Sequence, residues 1–158
     1  ERLRREFAAA EVDRKYAVVV ATRDHHIDPV GHFSASPDYL ETWPVHCVVG
    51  TEGSALHPNL DPQPFDAVFF KGEHAAAYSG FEGRAPDGRL LADWLRDHGV
   101  TEVDICGIAT DYCVRASALD AQREGFPTRV LGDLVAAVAP ATGAAAVEEM
   151  RSAGVTIG

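Results

Sequence analysis

Two apolar patterns alternate along this chain. The first is the short unbroken run, seen at Tyr16 to Ala21, Asp66 to Phe70, Glu102 to Ile108, Thr128 to Leu131 and Val155 to Ile157. Each run is rich in β-branched or aromatic residues and is of strand length. The second pattern recurs at helical spacing. It places Leu3, Phe7, Ala10 and Val12 within Glu1 to Lys15, and it continues over Leu90 to His98, Tyr112 to Glu124 and Thr142 to Ala153. The last three stretches stop at Gly99, Gly125 and Gly154, as helices stop at a residue free to turn left-handed. Strand and helix in alternation predict a doubly wound α/β fold, with a mostly parallel sheet covered by helices on both faces. Parallel neighbours need crossover connections rather than hairpins.

One segment breaks the alternation. From Thr22 to Gln63 there is no clear period, apart from a short candidate strand at Val45 to Val49, and five X-Pro pairs interrupt it. Structureless stretches this long inside compact domains are usually functional.

Composition narrows what that function is. A chain of 158 residues, 46% hydrophobic, suffices for one domain with a sizeable core, so we expect residues 1–158 to form a single domain. A net charge of −10 disfavours nucleic acid and anionic membrane surfaces and leaves a small neutral molecule as the easier partner. No apolar stretch is long enough to span a bilayer, and three unpatterned cysteines, Cys47, Cys106 and Cys113, suit a reducing compartment. We therefore expect a cytoplasmic protein, monomer or homodimer.

In parallel sheets, chemistry collects just beyond the carboxyl ends of the strands. Thr-Arg-Asp-His-His follows the first run, Lys71-Gly72 the second, and Ala-Thr-Asp-Tyr-Cys the third. Cys113 falls in the first turn of the next helix, where unpaired N–H groups and the helix dipole favour a thiolate. Position alone leaves it between nucleophile and buried structural cysteine; Cys106, in mid-strand, is the structural one. Lys71 either snorkels to solvent or stands at a site edge. Asp24, His26, His32 and His46 form D-x-H-x5-H-x13-H, an oxygen and three imidazoles that suit one divalent Zn, Fe or Mn ion. An extended chain after the first strand turns Asp24 and His26 to one side and His25 to the other. Asp28 remains an alternative carboxylate, and His57, His74 and His98 read as ordinary surface histidines.

These segments resemble a known family. Ala-Thr-Arg-Asp-His-His-Ile-Asp-Pro (21 to 29), Gly-His-Phe-Ser (31 to 34), Trp-Pro-Val-His-Cys (43 to 47), Phe-Lys-Gly (70 to 72), Tyr-Ser-Gly-Phe (78 to 81) and Gly-Ile-Ala-Thr-Asp-Tyr-Cys-Val (107 to 114) are similar to the nicotinamidase/pyrazinamidase branch of the isochorismatase-like hydrolases. The resemblance runs from residue 1 to the end. It implies a Cys113 nucleophile, a catalytic Lys71 and a metal held by Asp24, His26, His32 and His46. It further implies that Trp43 and Tyr78 flank a substrate ring and that Ile108 and Tyr112 line its pocket. A cis peptide would join Ile108 to Ala109, and the N–H groups of Ala109 and Cys113 would form an oxyanion hole. The implied reaction is hydrolysis of nicotinamide, or of pyrazinamide, through a thioester on Cys113, with the metal holding the ring nitrogen. The alternatives are a related amidase or hydrolase acting on a ureido or carbamoyl substrate, and a catalytically silent ligand-binding member. The family also carries a catalytic aspartate at the end of a strand that would precede residue 1. We therefore expect a molecule longer by about 25 residues, the span of a strand and its connection.

Overall fold

A computed structural model describes residues 15–60 and 63–158. The helix expected from Glu1 to Lys15 lies outside the described residues but for its last position. The chain divides into two compact units, one running up to Ala77 and taking back Gly83–Gly88, the other holding Tyr78–Glu82 and Arg89–Gly158.

In the first unit, β1 (Val20–Asp24) pairs in parallel with β2 (Ala67–Lys71). Tyr16 to Ala21 predicted this strand four residues early, because the ladder runs on through the polar Thr22, Arg23 and Asp24. The register sets Asp24 opposite Lys71, the last pair of the ladder. Side chains directly opposite in a ladder share a face, so the two charges come out on the same side. Past the strands the backbone stays tied: His25 N–H donates to Lys71 O, and Ile27 and Asp28 N–H both donate to Glu73 O.

Past β1, residues 25–60 are folded by isolated pairings rather than by a strand. Single parallel bridges join His26 to Val48 and Phe33 to Trp43, and two short 3₁₀ turns, Glu52–Ser54 and Pro58–Leu60, follow. The strand expected at Val45 to Val49 reduces to the one bridge at Val48. Cys47 explains why, since its φ of 47° is left-handed and breaks an extended run.

The second unit is built on three parallel strands in the order β3 (Val103–Ile108), β4 (Thr128–Ala136) and β5 (Thr156–Ile157). Helices α1 (Leu91–Asp97), α2 (Arg115–Arg123) and α3 (Pro140–Ser152) alternate with them. Parallel pairing is thus the only kind among the named strands, and the α/β class follows. The core is Val114, Ala118, Val130, Met150 and Val155, with Ile105, Leu119, Val135, Val147 and Ile157 packed against it. Strand β4 runs five residues past Leu131. Gly132 and Asp133 interrupt its apolar run, yet Val135 and Ala136 resume pairing with Gly107 and Ile108 after a register shift.

Between β3 and α2 the chain makes a π-helical turn, Thr110–Val114. Its signature is Val114 N–H donating to Ala109 O, five residues back, at 3.0 Å. The sequence predicted one helix from Tyr112. A π turn differs by a single extra residue and leaves the apolar period almost unchanged, so the pattern could not separate the two.

Candidate metal centre and active site

Three histidines converge in the first unit. The donor atoms of His26, His32 and His46 lie within 4.8 Å of one another, and the ring centroids stand 5.0 to 5.2 Å apart. His26 is 1% and His32 3% exposed, which is unusual for a polar side chain and calls for partners. The main chain brings them together. His26 N–H donates to Cys47 O and its carbonyl accepts from Val49, which fixes His26 beside the His46–Cys47 stretch. Trp43 N–H donates to His32 O, and Ser34 N–H to Trp43 O, which pins His32 next to the same stretch from the other side.

The loop between these two stretches is closed by a residue the sequence reading passed over. Asp38 Oδ1 accepts from the N–H groups of Leu40, Glu41 and Thr42, each at 2.9 Å. Those bonds hold its carboxyl well below the ordinary carboxylate value. An Asx turn is the local signal that could have found it: Asp followed within four residues by Thr.

Two of the imidazoles are oriented by carbonyls. His26 Nδ1 donates to Gly72 O at 2.6 Å, and His46 Nδ1 donates to Pro44 O at 2.7 Å. In each ring Nε2 then carries the lone pair, the form that ligates a metal. His26 Nε2 is buried and makes no hydrogen bond within the chain. A buried acceptor of this kind costs free energy unless something binds it, so the residues fit a metal ion. Burial, and then the neighbouring His26 and His46, lower the pKa of His32 below its ordinary value; Asp24 opposes this. His32 therefore stays in the neutral, ligating form.

Gly72 makes the arrangement possible. It adopts φ of 76°, and a Cβ there would stand 2.7 Å from His26 Cε1 and 3.0 Å from His26 Nδ1. Only glycine lets this carbonyl approach the ring so closely.

Asp24 belongs to an overlapping donor group, with His46 and Cys47. Its Oδ1 also accepts from Lys71 Nζ, which donates as well to Ala77 O at 2.9 Å. Lys71 is only 4% exposed, so the snorkelling alternative does not describe it; Asp24 supplies the charge a buried ammonium requires. Asp28, His57, His74 and His98 are exposed and outside both donor groups. His25 turns to the other side, onto the Phe70 ring at 4.6 Å and the Glu73 carboxylate at 3.0 Å. Trp43 packs edge-on against Tyr39 at 6.1 Å.

The other candidate residues lie in the second unit. Cys113 occupies the π turn, one residue past Tyr112, whose ring meets Tyr78 at 5.6 Å and a 36° tilt. The peptide joining Ile108 to Ala109 is cis, and the Ile108 side chain is exposed. Cys106 is different in kind. Burial, reinforced by Asp104, pushes its thiol up to about 11, which leaves it protonated and inert near neutrality. Ser117, in α2, accepts from Gly80 N–H at 2.7 Å and so ties the Tyr78 loop to the helix that Cys113 leads into. No helix among the described residues is long and apolar enough to cross a membrane.

Comparison with known proteins gives the arrangement its context. The isochorismatase domain model matches residues 2–158. The nicotinamidase/pyrazinamidase of Mycobacterium tuberculosis is 56% identical over 142 residues, covering 90% of this chain and 76% of the relative. The nicotinamidase of Escherichia coli is 38% identical over 157 residues, covering 88% and 73%. Among solved structures, a pyrazinamidase of Pyrococcus horikoshii in complex with zinc superposes with a TM-score of 0.80 at 38% identity, covering 99% of this chain and 82% of that one. PnC1 from L. infantum in complex with nicotinate gives 0.76 at 34% identity, covering 96% and 77%.

Proposed function

Since this chain belongs to the isochorismatase-domain family, in its nicotinamidase/pyrazinamidase branch, we propose that it hydrolyses nicotinamide to nicotinate and ammonia and accepts pyrazinamide as well. The observation that carries this reading is the 56% identity to the Mycobacterium tuberculosis enzyme across 90% of the chain. The geometry is in accord with it: buried imidazoles preset for a divalent ion in one unit, and in the other a cysteine in a π turn beside a pair of tyrosines.

The Cys113 thiolate attacks the carboxamide carbon, forming a C–S bond, while the N–H groups of Ala109 and Cys113 donate to the oxygen as it gains charge. The C–N bond then breaks, and the nitrogen leaves as ammonia by taking the proton that the Cys113 thiol gave up on ionising. Water adds to the thioester carbon, the C–S bond breaks, and nicotinate departs as the thiol reforms. Lys71 supplies the cation of the reacting group. Trp43 and Tyr78 flank the ring, and Ile108 and Tyr112 line its pocket. His26, His32, His46 and Asp24 hold one divalent ion of the Zn, Fe or Mn class. When bound, that ion supplies Lewis acidity, toward a pyridine ring nitrogen or toward water. The proposed place of action is the cytoplasm, and the proposed substrate a small neutral carboxamide.

The test is ammonia release from nicotinamide by the full-length protein. Release is expected from metal-loaded protein, with loss on chelation and recovery on adding the ion back. Metal-loaded protein that releases no ammonia would sink the reading.

A further inference from the structure

One buried charge remains unused by the proposed reaction. Asp111 lies two residues before Cys113, in the same π turn, and is 5% exposed. Its carboxylate accepts three hydrogen bonds from outside the turn. Oδ1 accepts from Val138 N–H at 3.0 Å; Oδ2 accepts from Ala139 N–H at 3.2 Å and from Thr142 Oγ1–H at 2.6 Å. Ala139 immediately precedes α3, and Thr142 is in its first turn. Of these donors, Ala139 N–H at the helix start is one that would otherwise go unpaired, and α3 takes no cap from a side chain of its own Ala139. Asp111 supplies the acceptor for Ala139 N–H from 28 residues away.

The consequence for the turn is mechanical. Val138 and Ala139 follow β4, whose last residues pair with Gly107 and Ile108, so Asp111 closes a ring of hydrogen bonds around the strand end, the π turn and the start of α3. A π turn carries one residue more than an α turn, an uncommon arrangement found mostly as single turns at functional sites. The carboxylate bonds hold it open at the residue next but one to the nucleophile.

We propose that Asp111 is a positioning residue for Cys113: it fixes the π turn against the N-terminus of α3 and thereby sets where the thiolate and the Cys113 N–H point. This rests on the reading of Cys113 as nucleophile. Asp111 touches no reacting atom and moves no proton.

The experiment compares Asp111→Asn, Thr142→Ala and Thr142→Ser with Cys113→Ala in the full-length, metal-loaded protein. Three readouts are taken well below each variant's unfolding midpoint: kcat and KM for ammonia release, the rate of Cys113 alkylation by iodoacetamide, and that of Cys106 as a reporter of general loosening. Asp111→Asn is expected to lower kcat by about 10- to 100-fold, the cost of misplacing a reacting group by about 1 Å, with KM changed little. Cys113 alkylation should shift several-fold while Cys106 stays protected. Thr142→Ala should give a smaller kcat loss, and Thr142→Ser should restore it. If Asp111→Asn does not fold, the threonine pair decides, since Thr142 belongs to another element. Wild-type kcat in Asp111→Asn, or in Thr142→Ala where that variant decides, overturns the proposal. So does a kcat loss matched by equal exposure of Cys106, which would mark Asp111 as merely structural. Cys113→Ala separates the premise: if it keeps substantial activity, the nucleophile reading falls whatever the Asp111 variants do.

Discussion

Gly72 shows how much can hang on a missing methyl group. A Cβ at this position would overlap the His26 ring, and the residue is already left-handed, so Gly72→Ala must push the ring away or unwind the turn. Losing the carbonyl partner of a ligating histidine typically costs 10- to 100-fold in metal affinity. We expect Gly72→Ala to lose metal in that range, measured by competition with a chromophoric chelator; unchanged affinity would show that the Gly72 carbonyl does not orient His26. The cluster of His26, His32 and His46 was legible from spacing, because the three histidines follow the end of β1 within a proline-punctuated segment. Gly72 and Asp38 were not. The role of Gly72 is set by a ring 46 positions away in the chain, whereas that of Asp38 is local, an Asx turn that the spacing of metal donors does not weigh.

At the level of elements, the apolar runs located every named strand and helix of the described residues to within a few positions. They missed where pairing outlasts hydrophobicity, as in β4 beyond Leu131, and where the helical period hides an extra residue, as in Thr110–Val114. The same π turn yields a pH prediction. Burial raises the pKa of Asp111, but bonds from Thr142, Val138 and Ala139 outweigh it and leave the carboxyl below its ordinary 3.8. A depressed carboxyl stabilises the fold fully above its unfolded value and loses that contribution as pH falls through the lower folded one. Acid titration of stability should therefore show a limb beginning near pH 4 that is shallower in Asp111→Asn. Circular dichroism over pH 2 to 6 checks it, and parallel limbs in the two proteins would refute it.

For the whole molecule, the two compact units hold different candidate groups: both sets of candidate metal donors and Lys71 in one, the cysteine turn and its tyrosines in the other. The alternation of patterns revealed the α/β class, but a division of this kind depends on which contacts the folded chain makes and leaves no mark in the period. Metal should count in the global stability. An ion that binds only the folded form adds about 2.7 kcal/mol at a hundredfold excess over its dissociation constant. Chelation is thus expected to lower the unfolding midpoint, and re-addition to restore it; a midpoint indifferent to chelator would contradict a resident ion. The two carbonyls that choose the ring nitrogens, at Gly72 and Pro44, carry a last implication. They hold those rings in the folded chain, so an incoming ion has little of their rotational freedom left to remove. Loading then becomes a matter of how readily a hydrated cation surrenders its water. Preference among cations comes to rest on that exchange and on fit to the two rings already oriented.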